Sequence, residues 1–323
     1  MGEDQQPHVQ QEGSPEAEAA AATHRSITCS WCGTQLPGEA NFCLHCGLPT
    51  HLLMHLPVRR PARVYAIANQ KRGAGKTTTA INLAACLADA GRRTLIVDLD
   101  PQCDATTGVG LDNHHISLST YELLLDDRVA PHAVLKAEIR PNLSLLPAKV
   151  DLTAAEFELV YIQQGREFRL KRALDTLKPQ FDFMLIDCPS SLGPLTINAL
   201  SAAYGVLLPL PCEYFALEGM VQLLKTIHLV RRRLNPRIAL FGVVLTMFDP
   251  HTELGTAVVR EVSEHFPKEK FRTLIPRNER LAEAPSYGQT ILEHAPLSPA
   301  ALAYKELAEE VIERAAMTEA AHA

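Results

Sequence analysis

The sequence predicts an α/β protein: a mostly parallel sheet with helices on both faces, of the P-loop nucleotide-binding type, preceded by a small zinc ribbon. Three observations lead there. From Arg63 onward, short near-continuous apolar runs alternate with longer segments of helical period. A glycine-rich loop sits where the first of those runs passes into the first helical segment. Four of the 8 cysteines crowd into residues 29–46, while Cys86, Cys103, Cys188 and Cys212 are scattered singly.

The totals set the bounds. A chain of 323 residues holds one large α/β domain plus something small. Hydrophobic content of 46% and 21% charged residues describe a soluble globular protein. A net charge of -6 gives no global pull toward nucleic acid, so any such binding needs a local patch. No stretch reaches the ~20 apolar residues of a membrane span. The opening MGEDQQPHVQQEGSPEAEAA is acidic and has no apolar core, so it does not read as a secretory signal. A cytoplasmic location follows as an expectation, and with it reduced cysteines.

Residues 1–26 are rich in Glu, Gln, Ala and Pro and predict a disordered acidic tail. Residues 27–48 form the zinc-ribbon-like module. Its CSWCGTQLPGEANFCLHCG reads C-x₂-C-x₁₀-C-x₂-C, two thiolate turns each followed by glycine. Cys29, Cys32, Cys43 and Cys46 supply four sulfurs in tetrahedral arrangement, which favours a closed Zn²⁺ site. The competing chemistries fit less well. A redox dithiol needs a thioredoxin-like context, disulfides conflict with the compartment, and the symmetrical spacing differs from ferredoxin patterns. His45 reads as a bystander. Trp31 and Phe42 lie in a module with almost no basic residues, which points to protein docking more than to DNA recognition.

Residues 49–62 read as a linker, with Pro49, Pro57 and Pro61 and with Arg59, Arg60 and Arg63 around its end. The remaining domain spans 63–323. Its candidate strands are 64–68, 94–98, 183–187, 205–210 and 239–247. Helical segments cover 77–90 and 218–234. A closing helix starts at the cap-like Ser298 and Pro299.

The loop between strand 64–68 and helix 77–90 contains Gly73, Gly75, Lys76 and Thr77. Consecutive backbone N–H groups there face an anion, and the helix N-terminus adds its dipole. Lys76 reaches terminal phosphates and the Thr77 hydroxyl completes a Mg²⁺ shell. The strict G-x-x-x-x-G-K-[ST] pattern is not met, because Gln70 stands at its first glycine. Asp98 and Asp100 follow the strand TLIVD, and Asp187 ends FMLID. In an open α/β sheet ligands bind beyond the carboxyl ends of strands, where these acids gather for metal and water chemistry. One such acid alone reads equally well as a helix cap.

NQKRGAGKTTTAINLA, VDLDPQ, FDFMLIDCPSSLGPLTINAL, EYFALEG and IPRNERLAEAPSYG, in that order over residues 63–315, resemble the ParA/Soj family of partitioning ATPases. That family belongs to the deviant Walker-A ATPases, which include MinD. The resemblance implies slow Mg²⁺-dependent ATP hydrolysis, an ATP-dependent sandwich homodimer, and nonspecific DNA binding in the ATP state. It also implies stimulation by a ParB-like activator, nucleoid association and no membrane contact. Carried over residue by residue, Lys71 resembles the signature lysine that reaches the partner subunit's phosphates. Lys76 resembles the ordinary P-loop lysine, and Arg72, Gly73, Ala74, Gly75 and Thr78 complete the phosphate loop. Thr77 and Asp187 resemble the Mg²⁺ ligands, with Asp98 behind them, and Asp100 the acid that positions the attacking water. Met247, Pro276 and Asn278 fall where the family contacts adenine, and Arg280, with Arg277 beside it, where it contacts DNA.

Two positions depart from the family pattern. Arg72 replaces the usual glycine of Lys-Gly-Gly-x-Gly-Lys-Thr, where a side chain either crowds the partner or supplies a new cation. His251 replaces a second basic DNA-contact position, which removes a fixed charge. Two alternatives remain in view. A MinD-like positioning ATPase ends in a basic amphipathic helix, whereas KELAEEVIERAAMTEAAHA is acidic and alanine-rich. An ATP-binding scaffold with weakened dimerisation is the other, and Arg72 is its main support.

Overall fold

A computed structural model describes residues 26–28, 35–37, 40–42, 49–50, 62–213 and 216–320. The acidic tail, the four clustered cysteines and most of the linker lie outside the described residues. The chain divides into two compact units, one up to Arg59 and one from Arg60. In the small unit, β1 (Ser26–Thr28) pairs antiparallel with β2 (Gln35–Pro37). Leu36 is buried there, and Phe42 bridges Pro49.

The large unit is built on an eight-stranded sheet. Its strands are β3 (Arg63–Ile67), β4 (Thr94–Asp98), β5 (Lys136–Arg140), β6 (Leu143–Leu146), β7 (Phe183–Asp187), β8 (Gly205–Pro211), β9 (Ala239–Phe248) and β10 (Lys270–Pro276). They lie in the order β10-β9-β8-β3-β7-β4-β6-β5, and all neighbours are parallel except β5 and β6. The five strands expected from sequence are all present, within a residue of their expected ends. The sheet holds three more, β5, β6 and β10. β4, β7 and β8 are buried along their whole length, as a sheet covered on both faces requires.

Two apolar layers sandwich the sheet. On one face the helix Lys76–Asp89 packs beneath the closing helix Pro299–Ala320, around Ile67, Leu83, Leu87, Tyr304 and Leu307. Lys76–Asp89 is buried on nearly every side, which its small residues Ala80, Ala84, Ala85 and Ala88 permit. The Thr79 and Tyr304 hydroxyls meet at 3.2 Å between the two helices. The closing helix begins as expected: Pro299 is its first residue, and the Ser298 hydroxyl accepts the Ala301 N–H. The other face is covered by the helices Leu152–Tyr161, Arg169–Leu177, Pro194–Ala202 and Ala216–Arg233. No helix among the described residues is long and apolar enough to cross a membrane.

Candidate nucleotide site

β3 is central, and its carboxyl end opens into the loop Ala68–Gly75. Asn69 ties that loop to β8: its Nδ2 donates to the Pro209 carbonyl at 2.7 Å and its Oδ1 accepts the Lys71 N–H at 3.0 Å. Gly73 and Gly75 sit at φ 71° and 85°, left-handed conformations that side chains disfavour. Thr246 lies beside this turn, and its hydroxyl donates to the Ala74 carbonyl at 3.1 Å. Gly75 caps the helix Lys76–Asp89 with no side-chain hydrogen bond, and no acid stands in its first turn. The opening N–H groups of that helix therefore stay available to an external anion.

A cleft of about 500 Å³ surrounds this helix end, lined by the loop from Arg72 to Thr78 and, across from it, by Asp100, Glu156 and Ser191 among others. Lys76 is buried, and its ammonium makes one long contact of 3.5 Å to the Lys71 carbonyl. Arg72 is exposed at the cleft rim and has no ion-pair partner among the described residues.

The acids take different environments. Asp98 and Asp187 are direct neighbours across β4 and β7, and both are fully buried. Asp98 Oδ2 accepts from the Thr106 N–H at 2.8 Å and hydroxyl at 2.6 Å, and its Oδ1 accepts the Asp100 N–H at 3.2 Å. Burial still pushes the Asp98 carboxyl up to about 7 against those bonds. Asp187 has neither oxygen in a hydrogen bond of good geometry. Burial, then the neighbouring Asp98 charge, raise it well above the carboxylate range, and the nearby Thr77 hydroxyl and Lys76 oppose them. A buried carboxylate with two open oxygens beside a hydroxyl fits a divalent cation, which satisfies both oxygens and removes the charge penalty. Thr77 and Asp187 are thus the residues present that suit Mg²⁺, and Asp98 has its oxygens occupied by the chain itself. Asp100 is half-buried at the cleft wall, its Oδ1 accepting the Gln102 N–H at 3.0 Å.

Lys71 points out of the phosphate loop. Its Nζ pairs with Glu213 Oε2 at 3.0 Å, and Arg277 Nη2 pairs with the other oxygen of the same carboxylate at 2.9 Å. These two hydrogen-bonded cations hold Glu213 below the usual carboxylate range. Glu213 opens the motif EYFALEG, yet nothing in its sequence neighbourhood marks it for a role. Only tertiary structure brings it to Lys71. Arg280 pairs with Glu283 at 2.8 Å, one turn along its own helix. Pro276 and Asn278 line a second cleft of about 610 Å³ together with Asp249, His251, Arg277, Glu279 and Arg280. Met247 lies at the end of β9 with φ 54°, a left-handed conformation uncommon for a bulky residue and frequent near functional sites.

The chain has relatives of known family. The chain matches the AAA domain family over residues 62–240 and the zinc-ribbon domain family over residues 28–50. It is 48% identical over 249 residues to the sporulation initiation inhibitor protein Soj of Bacillus subtilis, covering 77% of this chain and 98% of that one. It is 49% identical over 252 residues to the chromosome partitioning protein ParA of Myxococcus xanthus, covering 78% and 88%. Among solved structures it resembles a Mycobacterium smegmatis protein described as cobyrinic acid a,c-diamide synthase with bound ADP and magnesium. That match has a TM-score of 0.68 at 39% identity and covers 78% of this chain and 94% of the other. Pyrococcus furiosus cell division ATPase MinD, at 24% identity and a TM-score of 0.64, shares the fold. A deviant phosphate loop on β3, paired acids on β4 and β7, and identity near one half over a ParA-length domain agree: the chain belongs to the ParA/Soj family of partitioning ATPases, with a zinc-ribbon domain at its N-terminus.

Proposed function

We propose that this chain is an ATP-operated partitioning switch: ATP closes two copies, the dimer holds DNA without sequence preference, and a ParB-like activator triggers hydrolysis and release. The observation that carries the ATPase part is Asp187, a buried carboxylate with two open oxygens beside an uncapped helix N-terminus. Bound there, Mg²⁺ supplies charge neutralisation on the phosphates. Thr77 and Asp187 would hold it, with Asp98 behind them, its oxygens taken by Thr106 and the Asp100 N–H. The backbone N–H groups of residues 73–78 and the Lys76 ammonium bind and orient the phosphates. Asp100, at the open wall of the cleft, accepts a proton from the attacking water. Met247, Pro276 and Asn278 serve the base. The mycobacterial neighbour with a bound ATP analogue and magnesium supports this nucleotide assignment.

Lys71 is the residue whose role needs a second subunit. In the single chain Glu213 holds its ammonium away from the phosphate loop. Reaching a partner's phosphates requires that pair to open, while Arg277 can keep the other oxygen of Glu213. Both side chains of the pair are partly exposed, so opening it costs only about 0.2–1 kcal/mol. Glu213→Gln is therefore expected to tighten ATP-dependent dimerisation about 1.4- to fivefold, the equivalent of that energy. Sedimentation equilibrium with Mg²⁺ and a nonhydrolysable ATP analogue reads it. Weaker dimerisation in the variant would show that Glu213 serves the dimer directly.

The zinc-ribbon match supports four thiolates on one Zn²⁺. Elemental analysis of the full chain is expected to find about one zinc per chain, released together with four reactive thiols under strong chelator. An iron chromophore, or four reactive thiols before chelation, contradicts this assignment.

A further inference from the structure

We infer that the end of the helix Ala216–Arg233, with the turn that follows it, is the main docking surface for the phosphate backbone of duplex DNA. The inference rests on the DNA-binding part of the proposed function and locates it. Residues 219–248 contain Lys225, Arg231, Arg232, Arg233 and Arg237 and not one Asp or Glu, in a chain of net charge -6. All five of these cations are exposed, and none has a carboxylate within ion-pair distance among the described residues.

Ordinary helix stabilisation does not account for them. A cation near a helix C-terminus complements the macrodipole, and Arg231 does so while its Nε donates to the Ile238 carbonyl at 2.7 Å. Arg232 and Arg233 stand in the same last turn and share that role, but Lys225 lies about two turns before it and Arg237 beyond the helix, so it does not account for the whole set. Lys225, His228 and Arg232 share one exposed face at i, i+3 and i+7. The turn is rigid. Asn235 Nδ2 donates to the Leu200 and Ala203 carbonyls at 2.9 and 2.7 Å, and its Oδ1 accepts the Arg237 N–H at 3.3 Å. From Lys225 to Arg232 the face runs about 10 Å. Duplex DNA presents one charge per about 1.7 Å of axis, so such a face meets several phosphates.

The cations expected from the family are less suited. Arg277 shares Glu213 with Lys71, Arg280 is paired with Glu283, and their cleft is also lined by Asp249 and Glu279. They add to a DNA contact, and the uncompensated charge lies on the helix end. That end is also remote from the nucleotide. The helix begins beside Asn69 and Lys71, and its last turn leads toward the amino end of β9, at the opposite end of the parallel strands from the phosphate loop.

The test is fluorescence anisotropy of the full chain with Mg²⁺ and ATP, using a mixed-sequence duplex of about 30 base pairs over a salt titration. Arg232→Ala/Arg233→Ala/Arg237→Ala is expected to bind at least about tenfold more weakly at low salt. Its salt slope should fall by about 2–3, near one for each phosphate that no longer meets a cation. ATP binding should be unchanged, and the corresponding triple Lys variant should keep most of the slope. Arg277→Ala/Arg280→Ala should lose less than the triple Ala variant. A triple Ala variant with wild-type affinity and slope overturns the location and leaves DNA binding standing. A wild-type chain that ignores duplex removes both, and capture by vesicles of anionic phospholipid in preference to duplex assigns the surface elsewhere.

Discussion

Asp100→Ala is expected to slow ATP turnover by roughly 10²–10⁴-fold, the range for removing a positioned proton acceptor, with little change in ATP affinity. The structure gives the reason for the split. Asp100 stands on the cleft wall opposite the phosphate loop, half-buried, and its carboxylate accepts the Gln102 N–H while its own N–H donates to Asp98. Nothing in the loop Arg72–Thr78 depends on its carboxylate for shape. Phosphate binding, supplied by the uncapped helix end and Lys76, should survive. Single-turnover hydrolysis beside equilibrium nucleotide binding separates the two. A parallel loss of affinity would mean that Asp100 holds the phosphates or the metal.

Asp187→Asn should act in the opposite sense on the nucleotide-free and nucleotide-bound protein. Without ligand, the two open oxygens of a buried carboxylate cost of the order of 1–3 kcal/mol or more. Replacing the charge with an amide is expected to raise the melting temperature of the ligand-free chain by a few degrees. The pH dependence follows the same logic. Asp187 is raised well above, and Asp98 pushed up to about 7 from, the ordinary carboxylate range. The folded chain therefore binds more protons than the unfolded one. Stability from this pair is fullest in acid and falls as pH climbs from the usual carboxylate range through about 7. Asp187→Asn should flatten that fall. With Mg²⁺ and ATP the sign reverses. Wild type should gain about 2.7 kcal/mol at a hundredfold excess over Kd, and the variant only the part that does not depend on the metal. Thermal melts at pH 5 and 8, with and without Mg²⁺ and ATP, read all four terms. Equal Mg²⁺-dependent stabilisation in both proteins would remove Asp187 from the metal site.

Much of this site is legible before folding is considered, because it is local. A strand, a glycine loop and a helix start are consecutive in sequence, and so are TLIVD with Asp98 and FMLID with Asp187. Those strands are buried on both faces and hence apolar throughout. β6 is a run of only four residues, LSLL, next to a proline. β10 alternates because it is a sheet edge, with Arg272 outward and Phe271 and Thr273 inward, and β5 is an antiparallel edge with polar residues. Their patterns are too short or too mixed to separate from loop. The Glu213 link between Lys71 and Arg277 joins residues 142 and 64 positions apart in sequence, so spacing alone cannot reveal it. The arginine run 231–233 is visible in sequence, but its freedom from carboxylates is a property of the fold.

Arg72 at the cleft rim gives the dimer its strictest trial, since it is an exposed cation where a partner's phosphates would come. Light scattering of Asp100→Ala, with Arg72 in place, under saturating Mg²⁺ and ATP tests the switch most directly, because the slowed hydrolysis leaves the site filled during the measurement. The account predicts twice the chain mass with ATP and the single-chain mass with ADP. A single-chain mass at saturating ATP would contradict it.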